Sequence, residues 1–254
     1  MAALAHLLCT ATPLYAKYEV RATQLMTKAN LLVKTRVMPP IEPNIEIKQP
    51  KPNMNLTVFE SHSFRTARAL LIDQGPNLQV LNFCIFPKLD SPAPTFSADL
   101  VTLKGGSLIA IDCQPNGFAM DVSTRAGKML ADAYACHRPR FPHGGEIPEG
   151  ARKFFSDSFL WSRVPANESA EKLHALIEPA FDDYLSAYLC VLEDSEPLCR
   201  AEDLAIVRAA QLEYAQYRIT RDPARPMLSR LFGGDATERL LTETLFDLPK
   251  ILGE

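Results

Sequence analysis

Three apolar runs follow one another between Gln79 and Pro115, in QVLNFCIFPKLDSPAPTFSADLVTLKGGSLIAIDCQP. Their length and composition predict strands at about 78–87, 97–104 and 107–113. The Gly105-Gly106 pair predicts a hairpin between the last two, because glycine accepts positive φ. Each run is broken by one polar residue: Asn82, Asp99 or Asp112. A carboxylate inside such a run is costly to bury while ionised. It either faces water or serves as a sheltered carboxyl group that holds its proton to higher pH. Alternate residues of a strand share a face, so Val80, Asn82, Cys84 and Phe86 lie together, as do Asp99, Val101 and Leu103. If the two strands are neighbours, Asn82 and Asp99 point into one pocket.

The flanking segments read mostly as helices. Leu14, Tyr18, Leu25, Leu32 and Val33 make a stripe over 14–37, which Pro39, Pro40 and Pro43 bring to a stop. A Pro-rich connector at 41–55 follows, with a strand or two expected within 45–60 and a turn-rich or helical passage over 62–75. Helices are predicted at 118–136, at 167–194 with a kink at Pro179, at 201–220 and at 223–232, with an aromatic strand near 154–163. Asp235 reads as an N-cap with Glu238 at the capping-box position. Sequential strands with helices before and after predict an α/β chain: a three-layer α/β/α sandwich with a central, mostly antiparallel sheet. A single domain over 1–254 is expected, with residues 1–40 as an N-terminal helical segment.

Composition removes several classes. A net charge of -3 argues against a general nucleic-acid binder, although the segment before Pro52 is locally basic. None of the six cysteines forms a C-x-x-C pair, so a zinc or iron–sulfur site has no support, and a reducing compartment follows. Cys136, His137 and His143 read as a solvated Pro/Arg loop ahead of a metal site. No apolar run approaches a membrane span. There is no G-x-G-x-x-G and no P-loop. The opening MAALAHLLCTAT is apolar and free of acids, which leaves the remnant of a targeting peptide open.

Longer motifs carry a resemblance. VLNFCIFPK, FSADLVTLKGGSLIAIDCQP, GGEIPEGARKFFSDSFLWSRVP and YRITRDPARPMLSRLFGGDATERLLTETLFDL, in this order over about 75–250, resemble the ferredoxin-dependent bilin reductases, and most of all the phycoerythrobilin-forming branch. The resemblance implies an open-chain tetrapyrrole held between the sheet and the C-terminal helices. It implies no bound metal or organic cofactor, with single electrons supplied by reduced ferredoxin. The implied reaction is reduction of the A-ring diene of 15,16-dihydrobiliverdin to phycoerythrobilin through substrate radicals. Two alternatives stand beside it: a four-electron reductase starting from biliverdin, and a non-enzymatic bilin carrier.

With electrons supplied from outside, the protein controls which bond is reduced by where its proton donors stand. Asp99 matches the family's central acid; read without the family, it is equally a hydrated strand residue. Asp222 matches the acid that protonates the A ring; on its own terms, Asp before Pro is an ordinary helix start. A full cap opposes proton donation, so the side chain is expected to aim at the ligand. Asn82 stands where the phycocyanobilin-forming branch has a histidine, and it either bonds a ring carbonyl or is a satisfied strand residue. For the two propionates the candidates are Ser107, Arg225, Arg152, Lys153 and Arg163. Trp161, with Phe154, Phe155 and Phe159, is a candidate pocket wall or plain core.

Ferredoxin is acidic, so a basic rim of Lys104, Arg138, Arg140, Arg152 and Lys153 is expected to meet it. Transfer of product from the preceding bilin reductase, a monomeric state, and a place in an algal plastid stroma or a cyanobacterial cytoplasm complete the expectations. No nucleic acid or membrane partner is expected.

Overall fold

The computed structural model describes residues 13–32, 34–44, 46–47 and 50–253. The stretch read as a targeting remnant, 1–12, lies outside the described residues. One sheet runs in chain order: β1 (Lys34–Val37), β2 (Asn53–Glu60), β3 (Thr66–Asp73), β4 (Leu78–Phe86), β5 (Thr95–Leu103), β6 (Gly106–Gln114) and β7 (Leu160–Pro165). Every neighbouring pair is antiparallel. The β5–β6 hairpin turns where expected. Gly106 has φ 131°, and a Cβ there would lie 2.3 Å from the Val164 carbonyl oxygen, so β7 can approach only a glycine.

Four expectations need correction. The first helix, α1 (Ala16–Lys28), stops well before the prolines. Asn30 takes φ 56°, and Lys34–Val37 pairs with β2 as an edge strand. The passage at 62–75 opens on bends at 62–65 as expected, but most of it is strand β3, buried along nearly all its length. A strand covered on both faces loses the alternation that marks a half-exposed one, which is why TARALLID is ambiguous by period. The aromatic strand starts only at Leu160, because Phe154 and Phe155 lie in a turn. Asp235 is not an N-cap: Gly233, at φ 87°, occupies that position, and Glu238 pairs with Arg225 instead.

Helices cover both faces of the sheet. On one side α1, α2 (Arg125–His137) and α4 (Ala170–Asp194) bury Leu81, Phe83, Phe96, Ala98, Leu100, Ile109 and Ile111. Phe181 of α4 is the centre of this layer, with its ring 6.0 Å from Phe83, 6.2 Å from Phe96 and 5.3 Å from Tyr18. Pro179 sits inside α4 and has no N–H to give to the carbonyl of Ala175. Arg140 Nη2 donates to that carbonyl at 3.2 Å and satisfies it from outside the helix.

On the other side stand α5 (Ala201–Arg221), α6 (Arg225–Phe232), α7 (Gly234–Leu240), a π-helical turn at Leu241–Leu245 and α8 (Leu248–Leu252). The short α3 (Glu149–Arg152) precedes β7. Their core buries Leu56, Leu70, Ile72, Val80, Cys84 and Phe86 against Tyr214, Leu228, Leu231, Leu241 and Phe246. Cover on this side is uneven. Over β5–β7 the residues Asp99, Val101, Leu108, Ala110 and Trp161 are only half-buried, and this less covered stretch of the sheet face is the candidate cleft. Among the described residues no helix is long and apolar enough to cross a membrane.

The dry layer is expected to carry stability independently of the cleft. Phe181→Ala, which leaves a cavity among fully buried rings, should cost ~3–5 kcal/mol in urea unfolding. A loss below about 1 kcal/mol would show that the layer repacks freely.

Candidate active site

The cleft is built on strand register. Asn82 of β4 and Asp99 of β5 are direct cross-strand partners, continued by Ala110 of β6 and Trp161 of β7. Partners in register point to the same face, so these side chains line one row beneath the C-terminal helices. Asn82 Nδ2 donates to Asp99 Oδ1. Part of Asp99 reaches the cleft, yet protein packs round its carboxyl. Burial pushes its pKa above the usual carboxylate range, opposed first by the Arg218 charge and then by the Asn82 hydrogen bond.

Asp222 closes α5 and is brought to the same place. Its charge is felt at Asp99, and the two carboxyls therefore share one electrostatic environment. The expectation that its side chain aims at a ligand without capping is corrected. Oδ1 accepts the Ala224 N–H at 2.8 Å, and Oδ2 accepts from Arg218 Nε at 3.0 Å and Nη2 at 2.7 Å. Asp222 is buried, and removing one partner of such a pair typically costs ~3–5 kcal/mol. Arg218 also lies 5.3 Å from the Phe246 ring and 6.0 Å from Tyr214.

A second guanidinium stands beneath. Arg68 of β3 is 2% exposed, over Phe86 at 4.9 Å and Phe246 at 5.3 Å. Its Nη2 donates to Asn82 Oδ1 at 3.5 Å. Neither arginine was singled out from the sequence. Arg218 was legible, because it precedes Asp222 by four residues on one helix face. Arg68 was hidden by the misreading of β3.

The remaining candidates divide. Trp161 lies in the row of Asp99 and continues a stack of near-parallel rings, Phe155 on Phe159 at 4.0 Å and Phe159 by Trp161 at 6.2 Å. Its Nε1 donates to the Gly145 carbonyl at 3.2 Å, and Gly144 packs so closely on the indole that a Cβ would lie 2.3 Å from it. Ser107 does not reach the cleft. It sits on the opposite face, where its hydroxyl meets Thr102 Oγ1 at 2.8 Å and Tyr15 of the α1 layer bonds the same Thr102. Arg225 is committed to the Ile219 carbonyl and to Glu238. Arg152 is exposed, and its charge reaches Asp112. Lys153 pairs with Glu213, and Arg163 lies over the Trp161 ring at 5.8 Å.

The basic rim does not gather either. Lys104 is in the β5–β6 turn, about 25 Å along the strand from the Asp112 end where Arg152 lies. Arg138 and Arg140 follow α2 on the other layer and donate to the Phe141 and Ala175 carbonyls.

Asp112 is a third sheltered acid on this face. It accepts the Ser156 N–H at 2.9 Å and the Ser156 hydroxyl, which ties the Phe155–Trp161 loop to the sheet. Burial, partly offset by Ser156, pushes its pKa up to about 7. Burial also pushes the Cys84 thiol beside Asn82 up to about 11, so it stays protonated and is no nucleophile near neutral pH. Among the described residues no three His, Cys, Asp or Glu side chains are grouped to hold a metal ion. The site is an apolar cleft floored by a carboxyl that keeps its proton to raised pH, beside an arginine-held carboxylate and an aromatic wall. Such an arrangement can hold a proton beside a ligand bound in the cleft.

Comparison with known proteins bears on which ligand. The family model described as ferredoxin-dependent bilin reductase matches residues 40–247. The chain is 43% identical over 196 residues to a phycoerythrobilin:ferredoxin oxidoreductase of Gloeobacter violaceus, covering 76% of this chain and 78% of that protein. It is 40% identical over 207 residues to the protein of that name from Nostoc punctiforme, covering 79% and 80%. The crystal structure of phytochromobilin synthase from tomato in complex with biliverdin superposes with a TM-score of 0.79 at 26% identity, covering 94% of this chain and 85% of that one.

Asp112 makes the fold's stability depend on pH in a defined direction. Its folded pKa is above the 3.8 of an ordinary aspartate, so the unfolded chain ionises first as pH rises. Its stabilising contribution is full below about pH 4 and is lost by about pH 7. Asp112→Asn should therefore flatten the fall in urea midpoint across that window. An unchanged slope would show that another group titrates there.

Proposed function

The chain belongs to the ferredoxin-dependent bilin reductases, a family of oxidoreductases, and we propose that it reduces the A-ring diene of 15,16-dihydrobiliverdin to phycoerythrobilin. The observation that carries this reading is the row of Asn82 and Asp99 in register on the cleft floor, with Asp222 within electrostatic reach from the helix layer. Asp99 is the central proton donor, and Asp222 serves as the A-ring donor once bound pigment draws Arg218 off its carboxylate, because the pairing seen here holds it ionised. Reduced ferredoxin delivers electrons one at a time, and the pigment passes through radical states with no metal or organic cofactor between. Each round adds one electron and one proton, and two rounds saturate one double bond.

The physical case rests on matching the acid to the task. A general acid works best with a pKa near the operating pH, and burial moves Asp99 in that direction. The neighbouring guanidinium of Arg218 favours negative charge on a pigment that has just received an electron. The aromatic stack ending at Trp161 offers a flat wall of the kind a conjugated ligand packs against. A carrier would not need a buried acid of raised pKa on the floor, which favours catalysis. The full reading includes a monomer that takes its substrate from a preceding bilin reductase, in a plastid stroma or a cyanobacterial cytoplasm.

Purified protein should be given 15,16-dihydrobiliverdin and biliverdin separately, with ferredoxin and a ferredoxin-reducing system, and the products separated by chromatography. Conversion of the dihydro pigment alone is expected; conversion of both would instead identify a four-electron enzyme. Asp222→Asn keeps an acceptor for the Ala224 N–H, and should bind pigment while slowing the A-ring step by about 10²-fold or more. Full product yield from that variant would overturn its assignment.

A further inference from the structure

Arg68 is a buried guanidinium whose Nε and Nη1 have no hydrogen-bond partner among the described residues. Its one polar contact is Nη2 to Asn82 Oδ1. A charge held under Phe86 and Phe246 with no facing carboxylate is an expensive arrangement in a protein interior. The side chain is close to the reacting end of the site, since its charge reaches both Asp99 and Cys84.

The chain of contacts settles an orientation. An arginine can only donate, so the atom of Asn82 that faces it is the oxygen. The amide nitrogen then faces Asp99, and Asp99 Oδ1 must accept. A carboxyl oxygen that accepts from an amide cannot also carry the acid proton toward that amide. The carbonyl oxygen of a protonated carboxyl is the better acceptor, so the amide N–H at Oδ1 favours the proton of Asp99 on Oδ2. The Cys84 thiol also donates to this oxygen at 3.8 Å, but a thiol is a weak donor, so without Arg68 the Asn82 amide can turn and offer Oδ1 to Asp99. The carboxyl proton would then be held by Asn82 instead of being free for a ligand.

We propose that Arg68 is a positioning residue which, by fixing the Asn82 amide, confines the transferable proton of Asp99 to its cleft-facing oxygen Oδ2. This rests on the proposed reduction, in which Asp99 gives its proton to the one-electron-reduced pigment and is reprotonated from solvent before the next round. Arg68 itself need not touch pigment.

The test compares single-turnover reduction of 15,16-dihydrobiliverdin by reduced ferredoxin in wild type, Arg68→Met, Asn82→Leu and the double variant, with pigment affinity from absorbance titration. Arg68→Met should slow reduction about tenfold or more with affinity changed less than about threefold. Arg68→Lys, which also only donates, should recover most of the lost rate. In the Asn82→Leu background, Arg68→Met should add no further loss. Equal loss in both backgrounds, or a loss explained by affinity alone, would overturn the proposal. Should Arg68→Met fail to fold, Arg68→Gln replaces it, because glutamine can offer either a donor or an acceptor to Asn82. Slowing by Arg68→Gln supports the relay, and a wild-type rate overturns it. Failure of the wild type to convert the pigment would instead sink the reaction assigned above.

Discussion

Two guanidiniums and two carboxyls enclosed between a sheet and a helix layer set the character of this molecule. Each charge is costly in such surroundings unless another meets it. Asp222 is met by Arg218 through two hydrogen bonds and a neighbouring amide. Among the described residues the side chains of Asp99 and Arg68 make hydrogen bonds only to Asn82, while Arg218 reaches Asp99 through charge. The first pair is a closed unit that joins the end of α5 to the start of α6. The second is an open chain whose far oxygen is unclaimed.

The two faces of the sheet divide the labour. Toward α1, α2 and α4 the side chains are apolar, aromatic and fully buried, and Phe181 packs against rings from both strands and helices. Toward the C-terminal helices the same strands present Asn82, Asp99, Asp112 and Arg68. Period-two alternation lets one strand serve both purposes. A one-residue slip of β5 along β4 would turn Asp99 into the dry layer and Ala98 toward the cleft while Asn82 stayed in place, and would part the pair. The dry face thereby enforces the register on which the site depends.

Much of this was legible in the residues. The β4–β5–β6 core, the hairpin at Gly105-Gly106 and the shared face of Asn82 and Asp99 follow from alternation and turn chemistry. Asp222 was recognisable from RITRDPARP, although its capping bond was not anticipated to be complete. What failed did so for physical reasons. β3 has no exposed face, so its pattern carries no period, and Arg68 went unseen with it. The end of α1 depends on a single left-handed residue, Asn30, which exerts less pull on the eye than the prolines beyond it. Ser107 was placed near Asp99 by nearness in sequence, but the parity of the strand sends it to the other face. The lysines and arginines expected to form a rim are scattered because a nine-residue strand separates its two ends by most of the width of the molecule.

The sheet is a simple meander, in which every strand pairs with the one made just before it. A nascent chain emerging from its N-terminus can therefore lay down the floor of the cleft strand by strand, complete once Pro165 is out. The roof, from α5 to α8, is synthesised after the floor, and it brings Arg218 and Asp222 to an Asp99 already in place. Until then the apolar strand face beneath it lies bare to water, a sticky surface whose safe passage rests on how soon the stretch from Ala201 to Leu252 arrives to cover it.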